Sequence, residues 1–280
     1  MEVLGPDPAA ASLGLLILLL LVGSCAQWLV WIQHWRNGRD PLTIQPRETI
    51  QVSTPQNVPQ LPLLLACLWL LVRVPLAMAP QAQYSAERVR MALDSSITEG
   101  IVVLVLFLAA YAYEQLVRPP VKEYGLRLTG LRSQLAAAGQ GFLAVFAPVA
   151  LMLLITFPLR GEETTHPLLR LLKEDPSLVT RSKVLFIAGV MAPLNEELIF
   201  RVTFLSALLK YLNPAAAIIS VALVFAAIHG LPDALALVPL SLVLCYAFYR
   251  ERSYLTVVII HAMFNILNVA LMLAGLELAE

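Results

Sequence analysis

Residues 184–209 read VLFIAGVMAPLNEELIFRVTFLSALL, and this stretch decides the fold class. It is long enough to cross the hydrocarbon core of a bilayer, for which a helix needs about 20 apolar residues. Three charged residues, Glu196, Glu197 and Arg201, interrupt it. Charges at such a depth are costly unless protein or a water-filled cavity surrounds them. The stretch therefore predicts a membrane helix whose polar side is covered by other helices.

Seven further apolar stretches indicate that this helix has many membrane neighbours. They cover about 10–32, 61–79, 97–116, 135–159, 214–229, 233–249 and 254–274. Hydrophobic residues make up 59% of the 280 residues and charged residues only 14%, whereas soluble domains average about a quarter charged residues. The mean hydropathy is +0.77. We expect an all-α, multi-pass membrane protein with about eight transmembrane helices, located in a bacterial plasma (inner) membrane.

The charge distribution excludes one broad class of function. Lys and Arg together number 19, as do Asp and Glu, so the formal net charge is zero. The basic residues lie mainly in loops that flank the apolar stretches, not on one basic face. Nucleic-acid binding is therefore not expected, and the lipid bilayer is the expected surrounding.

The spacing of the three charged residues in 184–209 is compatible with a catalytic role and with a structural role. Glu197 and Arg201 are four residues apart, so they share one helix face and are placed to form an ion pair. Glu196 is rotated by about 100° from Glu197, which leaves it available as a general base. The structural alternative is that all three charges only lock two helices together.

Two further polar pairs follow in the last apolar stretches. Phe225 precedes His229 by four residues at the end of one stretch, and His261 precedes Asn265 by four residues inside the last. Taken singly, a histidine at a helix end is often a cap, and a polar pair in a membrane helix often joins two helices. Together with Glu196 they supply the groups needed for attack of water on a carbonyl.

The three motifs, Glu-Glu-x-x-x-Arg, Phe-x-x-x-His and His-x-x-x-Asn, stand in this order in hydrophobic stretches. In this arrangement the chain resembles the CAAX-protease and bacteriocin-processing (CPBP, or Abi) family, relatives of the type II CAAX prenyl endopeptidases. The resemblance covers roughly Lys183 to Gly275. It implies that residues 183–275 form a four-helix catalytic core and that 1–182 hold four accessory transmembrane helices with their loops.

The resemblance also implies a role for each polar residue. Glu196 corresponds to the catalytic glutamate that activates water, and His229 to its essential histidine partner. His261 and Asn265 would complete the catalytic site by stabilising the oxyanion or by holding a metal.

Three other residues have a structural role by the same resemblance. Arg201 would orient Glu197, and Glu197 and Phe225 would themselves be structural or orienting residues. The expected activity is that of an intramembrane endopeptidase acting on a protein or peptide substrate, and the eukaryotic relatives imply that such a substrate can be prenylated.

Whether a metal takes part is left open by the sequence. The His-Glu-x-x-His spacing of zinc proteases is absent. Glu196, His229 and His261 are nevertheless candidate ligands that would leave one position open, as in catalytic zinc sites. A glutamate mechanism without Zn²⁺ uses the same residues.

Two other classes of function compete with hydrolysis. A non-catalytic membrane scaffold or immunity-type protein would have the same fold, because fold does not prove activity. An ion-coupled transporter would also bury Glu, Arg and His, but it should show inverted repeats or broken helices in both halves, and we find neither in the sequence.

Overall fold

The computed structural model describes residues 8–39, 58–78, 85–117, 124–126, 129–160 and 167–277. All regular elements in these residues are helices, which confirms the predicted all-α class. The helices are α1 Pro8–Arg36, α2 Gln60–Met78, α3 Ala86–Val117, α4 Leu131–Thr156, α5 Pro167–Glu174, α6 178–208, α7 Pro214–Ala227, α8 Asp233–Glu251 and α9 Tyr254–Glu277.

The chain is a multi-pass membrane protein. Five helical stretches among the described residues are long and apolar enough to cross a bilayer: Ala11–Arg36, Ala86–Val117, Leu131–Leu159, which adds the 3-10 turn Phe157–Leu159 to α4, Asp233–Glu251 and Tyr254–Ala274. Two shorter apolar helices, at Gln60–Leu76 and Pro214–Ala227, accompany them. Together with α6 these helices correspond to the eight predicted stretches, but a count of eight membrane spans stays a prediction.

Helix α6 carries the charged group and is not uniform along its length. It is built from the segments Leu178–Phe186, Ile187–Met191, Ala192–Glu197, Leu198–Leu205 and Ser206–Leu208, of which the second and fourth are π-helical. Side chains bond to several of its carbonyl groups. The hydroxyl of Thr203 donates to the Leu198 carbonyl at 2.9 Å, and that of Tyr254 donates to the Leu194 carbonyl at 2.7 Å. Such π segments are frequent at functional sites.

Helix α6 is enclosed by the neighbours that its charges require. It packs against α7, α8 and α9 on one side and against α2 and α3 on the other. Leu198, Ile199 and Phe200 are completely buried there. Close approach of α9 depends on Gly189, because a Cβ at that position would lie 2.7 Å from Cγ1 of Ile266.

The helices before residue 183 share the same apolar core. Helix α4 packs against α8 and α9, and α1 packs against α4. Trp31, Phe107 and Val145 belong to one buried cluster with Leu198 and Ile260. The predicted boundary between residues 182 and 183 falls within α6, and the division into accessory and catalytic units stays a prediction.

Candidate active site

The predicted ion pair between Glu197 and Arg201 lies in the middle of the protein. Nη1 of Arg201 is 3.0 Å from Oε1 of Glu197, and both side chains are fully buried. Nη2 of Arg201 donates to the hydroxyl of Ser241 on α8 at 2.7 Å. The guanidinium carbon lies 4.4 Å from the ring centroid of Phe225, which adds a cation–π contact. Arg201 therefore connects α6, α7 and α8.

The structure brings Glu196 together with both predicted histidines. Oε2 of Glu196 lies 4.0 Å from Nε2 of His229 and 3.9 Å from Nε2 of His261. Among the described residues this carboxylate oxygen is buried and has no hydrogen-bond partner. The side chain of Glu196 is 19% exposed, that of His229 is 28% exposed and that of His261 is 4% exposed. Two imidazoles thus converge on a buried carboxylate oxygen, while other parts of Glu196 and His229 remain partly exposed.

The other ring nitrogen of each histidine has a partner that fixes the tautomer. Nδ1 of His229 lies 2.8 Å from the carbonyl oxygen of Phe225, which can only accept, so Nδ1 carries the hydrogen. Nδ1 of His261 lies 2.7 Å from Oε1 of Glu197, the oxygen that also accepts from Arg201. In the neutral rings, both Nε2 atoms therefore present a lone pair toward Glu196.

Phe225 forms one wall of this arrangement. Its ring is completely buried, and its centroid lies 4.8 Å from that of His229 and 5.9 Å from that of His261. Phe200 packs on its other side with a centroid distance of 5.2 Å. The ring therefore restricts the orientation of both imidazoles, which is consistent with the structural role expected from the sequence.

Comparison with known families places these residues in one segment. Residues 179–267 match the family model described as Rce1-like, type II CAAX prenyl endopeptidase Rce1-like. This segment belongs to the CAAX-protease (CPBP) family. It covers about a third of the chain and contains every candidate site residue. No curated protein and no solved structure matches the chain significantly.

Asn265 of the CAAX-protease segment has a contact that fixes helix register. Its Nδ2 donates to the carbonyl oxygen of Ala188 at 2.8 Å, within the first π segment of α6. This bond joins α9 to α6 about two turns before Glu196 on α6. The role of Asn265 as an oxyanion donor stays a prediction.

The spacing of the candidate metal ligands in the CAAX-protease segment does not match zinc. Atoms bound to a tetrahedral zinc at about 2.0–2.2 Å lie roughly 3.4 Å from one another. The two distances from Oε2 of Glu196 to the histidine nitrogens, 4.0 and 3.9 Å, are longer. Within the described residues, no three His, Cys, Asp or Glu side chains are grouped to hold a metal ion. The groups that the structure provides for catalysis at this site are therefore side chains.

Some residues that complete the site carried no recognised motif. Ser241 accepts the second bond of Arg201, and Tyr254 bonds to the carbonyl of Leu194 near the two glutamates. Asn195 precedes the glutamates and donates to the carbonyls of Met191 and Gly100. Polar residues inside apolar helices are a general signal for contacts between helices, but this signal does not name the partner.

Proposed function

We propose that the protein is an intramembrane endopeptidase that hydrolyses a peptide bond in a protein or peptide substrate. The observation that carries this proposal is the buried, unbonded Oε2 of Glu196, which lies 4.0 and 3.9 Å from two histidine Nε2 atoms. The membership of residues 179–267 in the CAAX-protease family supports the same class of reaction. Prenylated substrates and a bacterial plasma membrane are part of the proposal.

The distances around Glu196 suit a shared water molecule. Two acceptor atoms that face each other at about 4 Å cannot bond directly, but a water with hydrogen bonds of about 2.8 Å spans such a gap. Oε2 of Glu196 and the Nε2 lone pair of either histidine are acceptors of this kind, and the two hydrogens of one water bridge Oε2 to one of the two imidazoles. We assign this position to the attacking water.

Glu196 then acts as the proton carrier of the reaction. Its carboxylate takes one proton from the water while the water oxygen forms a bond with the carbonyl carbon of the substrate. The tetrahedral intermediate collapses with cleavage of the carbon–nitrogen bond, and the proton on Glu196 passes to the leaving amine. One water molecule is consumed, and the products are a carboxylic acid and an amine.

The charged residues behind His261 position its imidazole for this reaction. Glu197 holds Nδ1 of His261 at 2.7 Å and is itself held by Arg201 at 3.0 Å. These contacts hold the imidazole in one orientation, as the carboxylate does in other hydrolases that pair a carboxylate with a histidine. Nε2 of His261 is thereby kept directed toward Glu196, at 3.9 Å from its Oε2.

The proposal is tested by replacing Glu196 with glutamine. Glu196→Gln keeps the shape of the side chain but removes the proton acceptor, so we expect peptide hydrolysis by protein in proteoliposomes to fall at least about 10²-fold. The thermal melting of the variant should stay close to that of the wild type. Glu87→Gln, the same chemical change at an exposed position of α3, is the matched control and should retain full activity.

The opposite result would favour the scaffold alternative. A Glu196→Gln protein that folds normally and hydrolyses a peptide library at the wild-type rate is incompatible with the proposed base. A wild-type protein that hydrolyses no member of the library would likewise favour a non-catalytic membrane role.

A further inference from the structure

A groove that contains neither histidine reaches Glu196. This cavity of about 150 Å³ lies between α2, α3 and α6, and Glu196 is one of its lining residues. Arg73 of α2 and Glu99 of α3 also line it. Both helices lie outside the segment that matches the CAAX-protease family, so family membership assigns no role to this groove.

Arg73 is held in a defined position relative to the catalytic helix. Its guanidinium carbon lies 5.5 Å from the ring centroid of Trp69. The Trp69 ring packs edge-on against Phe200, with a centroid distance of 6.0 Å. Phe200 is four residues after Glu196 on α6. Contacts with aromatic rings thus connect the cation at the groove to the helix that carries the proposed base.

The ion pair between Arg73 and Glu99 is weak enough for another carboxylate to replace Glu99. Nη2 of Arg73 lies 3.5 Å from Oε2 of Glu99, and the two side chains are 49% and 62% exposed. Charge-assisted hydrogen bonds are shorter, at about 2.7–2.9 Å, and exposed ion pairs contribute little to stability. Another carboxylate with better geometry can therefore displace Glu99 at small cost.

The inner end of the groove offers a fixed hydrogen-bond acceptor. Nδ2 of Asn195 donates to the carbonyl oxygens of Met191 at 2.9 Å and Gly100 at 3.1 Å, which determines the orientation of the amide. Among the described residues its Oδ1 is buried and has no hydrogen-bond partner. Asn195 lines the groove and is 9% exposed. A peptide N–H is the type of donor that this oxygen lacks.

We infer that the groove binds the substrate segment next to the scissile bond, with a substrate carboxylate on Arg73 and a substrate N–H on Oδ1 of Asn195. This inference rests on the proposed endopeptidase function. The carboxylate is either the C-terminus of the substrate or an Asp or Glu side chain, since the guanidinium binds both in the same way. Arg73 is thus a specificity-determining residue.

The experiment compares peptides that differ only in one carboxylate. Fluorescein-labelled octapeptides, random over Ala, Val, Leu and Ser, are supplied with a free C-terminus or a C-terminal amide. A second pair carries an internal Asp or Asn in amidated peptides. For full-length protein in lipid nanodiscs, we expect that in one of the two pairs kcat/KM is about tenfold higher for the peptide that carries the carboxylate than for its neutral counterpart. This ratio corresponds to about 1.4 kcal/mol. The pair that shows the preference identifies the source of the carboxylate.

Variants at Arg73 then assign the preference to this residue. Arg73→Gln should remove it, Arg73→Glu should reverse it, and Arg73→Lys, which keeps the charge, should retain part of it. Lys183→Gln is the matched control, because Lys183 also pairs with a carboxylate, that of Asp94, but does not line the groove. A preference that is absent from the wild type, or unchanged in Arg73→Gln, overturns the inference.

Binding to the Glu196→Gln protein separates this inference from the proposed function. Fluorescence anisotropy with the same peptides needs no hydrolysis, and it should show the same preference for the carboxylate and the same loss in Glu196→Gln/Arg73→Gln. If hydrolysis depends on Glu196 but Arg73→Gln has no effect, the role assigned to the groove is wrong and the endopeptidase function stands. Binding that depends on Arg73 without hydrolysis by the wild type supports the groove and refutes the endopeptidase.

Discussion

Neutralising Glu197 should destabilise the fold, whereas neutralising Glu196 should not. Glu197→Gln removes the negative charge that faces Arg201 at 3.0 Å and His261 at 2.7 Å, at a side chain with no exposed surface. Glutamine can still accept a hydrogen bond, but it leaves the guanidinium charge buried without a counter-charge. Removing one partner of a buried pair costs about 3–5 kcal/mol, and we expect a loss of unfolding free energy in this range.

Glu99→Gln provides an internal scale for this loss. Glu99 also pairs with an arginine, Arg73, but at 3.5 Å and with 62% of its side chain exposed. The free energy of an exposed pair is about 0–1 kcal/mol. Reversible unfolding by SDS in mixed micelles, followed by circular dichroism, should therefore separate the two variants by at least about 2 kcal/mol, the smallest difference between these two ranges.

A double variant distinguishes an unpaired charge from lost packing. Glu197→Gln with Arg201→Met removes the guanidinium that the single variant leaves unpaired, so it should be more stable than Glu197→Gln alone. The hydroxyl of Ser241 would lose its donor in this variant, which is why full recovery is not expected. Two results would refute this account of the ion pair. One is a Glu197→Gln protein that loses less unfolding free energy than Glu99→Gln does. The other is a double variant whose loss equals the sum of the losses in Glu197→Gln and in Arg201→Met.

Two further predictions concern metal and pH. Because the Glu196 and histidine atoms are spaced more widely than zinc ligands, dialysis against EDTA should leave peptide hydrolysis unchanged; a loss that added zinc restores would contradict this. Hydrogen bonds from Ser177 and Thr180 lower the pKa of Asp175, and Arg90 adds to the effect. This stabilisation is fully present above the unfolded pKa of about 3.9 and is lost as the pH falls through the folded value. Asp175→Asn should therefore lower the melting temperature at pH 7 but not below the folded pKa, and equal differences at both pH values would exclude this role.

The sequence predicted those parts of the site that depend on local spacing. The pairing of Glu197 with Arg201 follows from four-residue spacing on one helix face, and the structure confirms it. The motifs of Glu196, His229 and His261 indicate groups that act together on one carbonyl, and the structure places both histidines within 4.0 Å of Glu196.

The parts that could not be predicted depend on contacts between distant segments. No spacing rule relates Ser241 to Arg201, because the two residues lie 40 positions apart on helices joined by a separate helix. The π segments of α6 likewise leave no periodic pattern, since residues 184–209 are apolar on nearly every side. The groove is formed by the packing of α2 and α3 against α6. It could not be predicted because the apolar stretches of α2 and α3 do not indicate which face of each helix contacts α6.

The short helix α7 explains how residues at different depths of their helices meet. Its 14 residues rise about 21 Å, which is less than the roughly 30 Å of a hydrocarbon core. His229, in the turn after α7, therefore follows a helix that is too short to cross the hydrocarbon core. Glu196 lies near the middle of α6, and the two side chains can therefore meet without a bend in either helix.

This placement also gives the two reactants separate access to Glu196. Non-helical backbone at membrane depth is tolerated where protein covers it or where it lines a water-filled space. The turn that carries His229 satisfies this condition if water reaches the 28% exposed imidazole from its own side. The groove that carries Arg73 opens to Glu196 between α2 and α3 instead. The proposed water position beside His229 and the proposed peptide groove therefore adjoin one carboxylate through different helices, α7 for the water and α2 and α3 for the peptide.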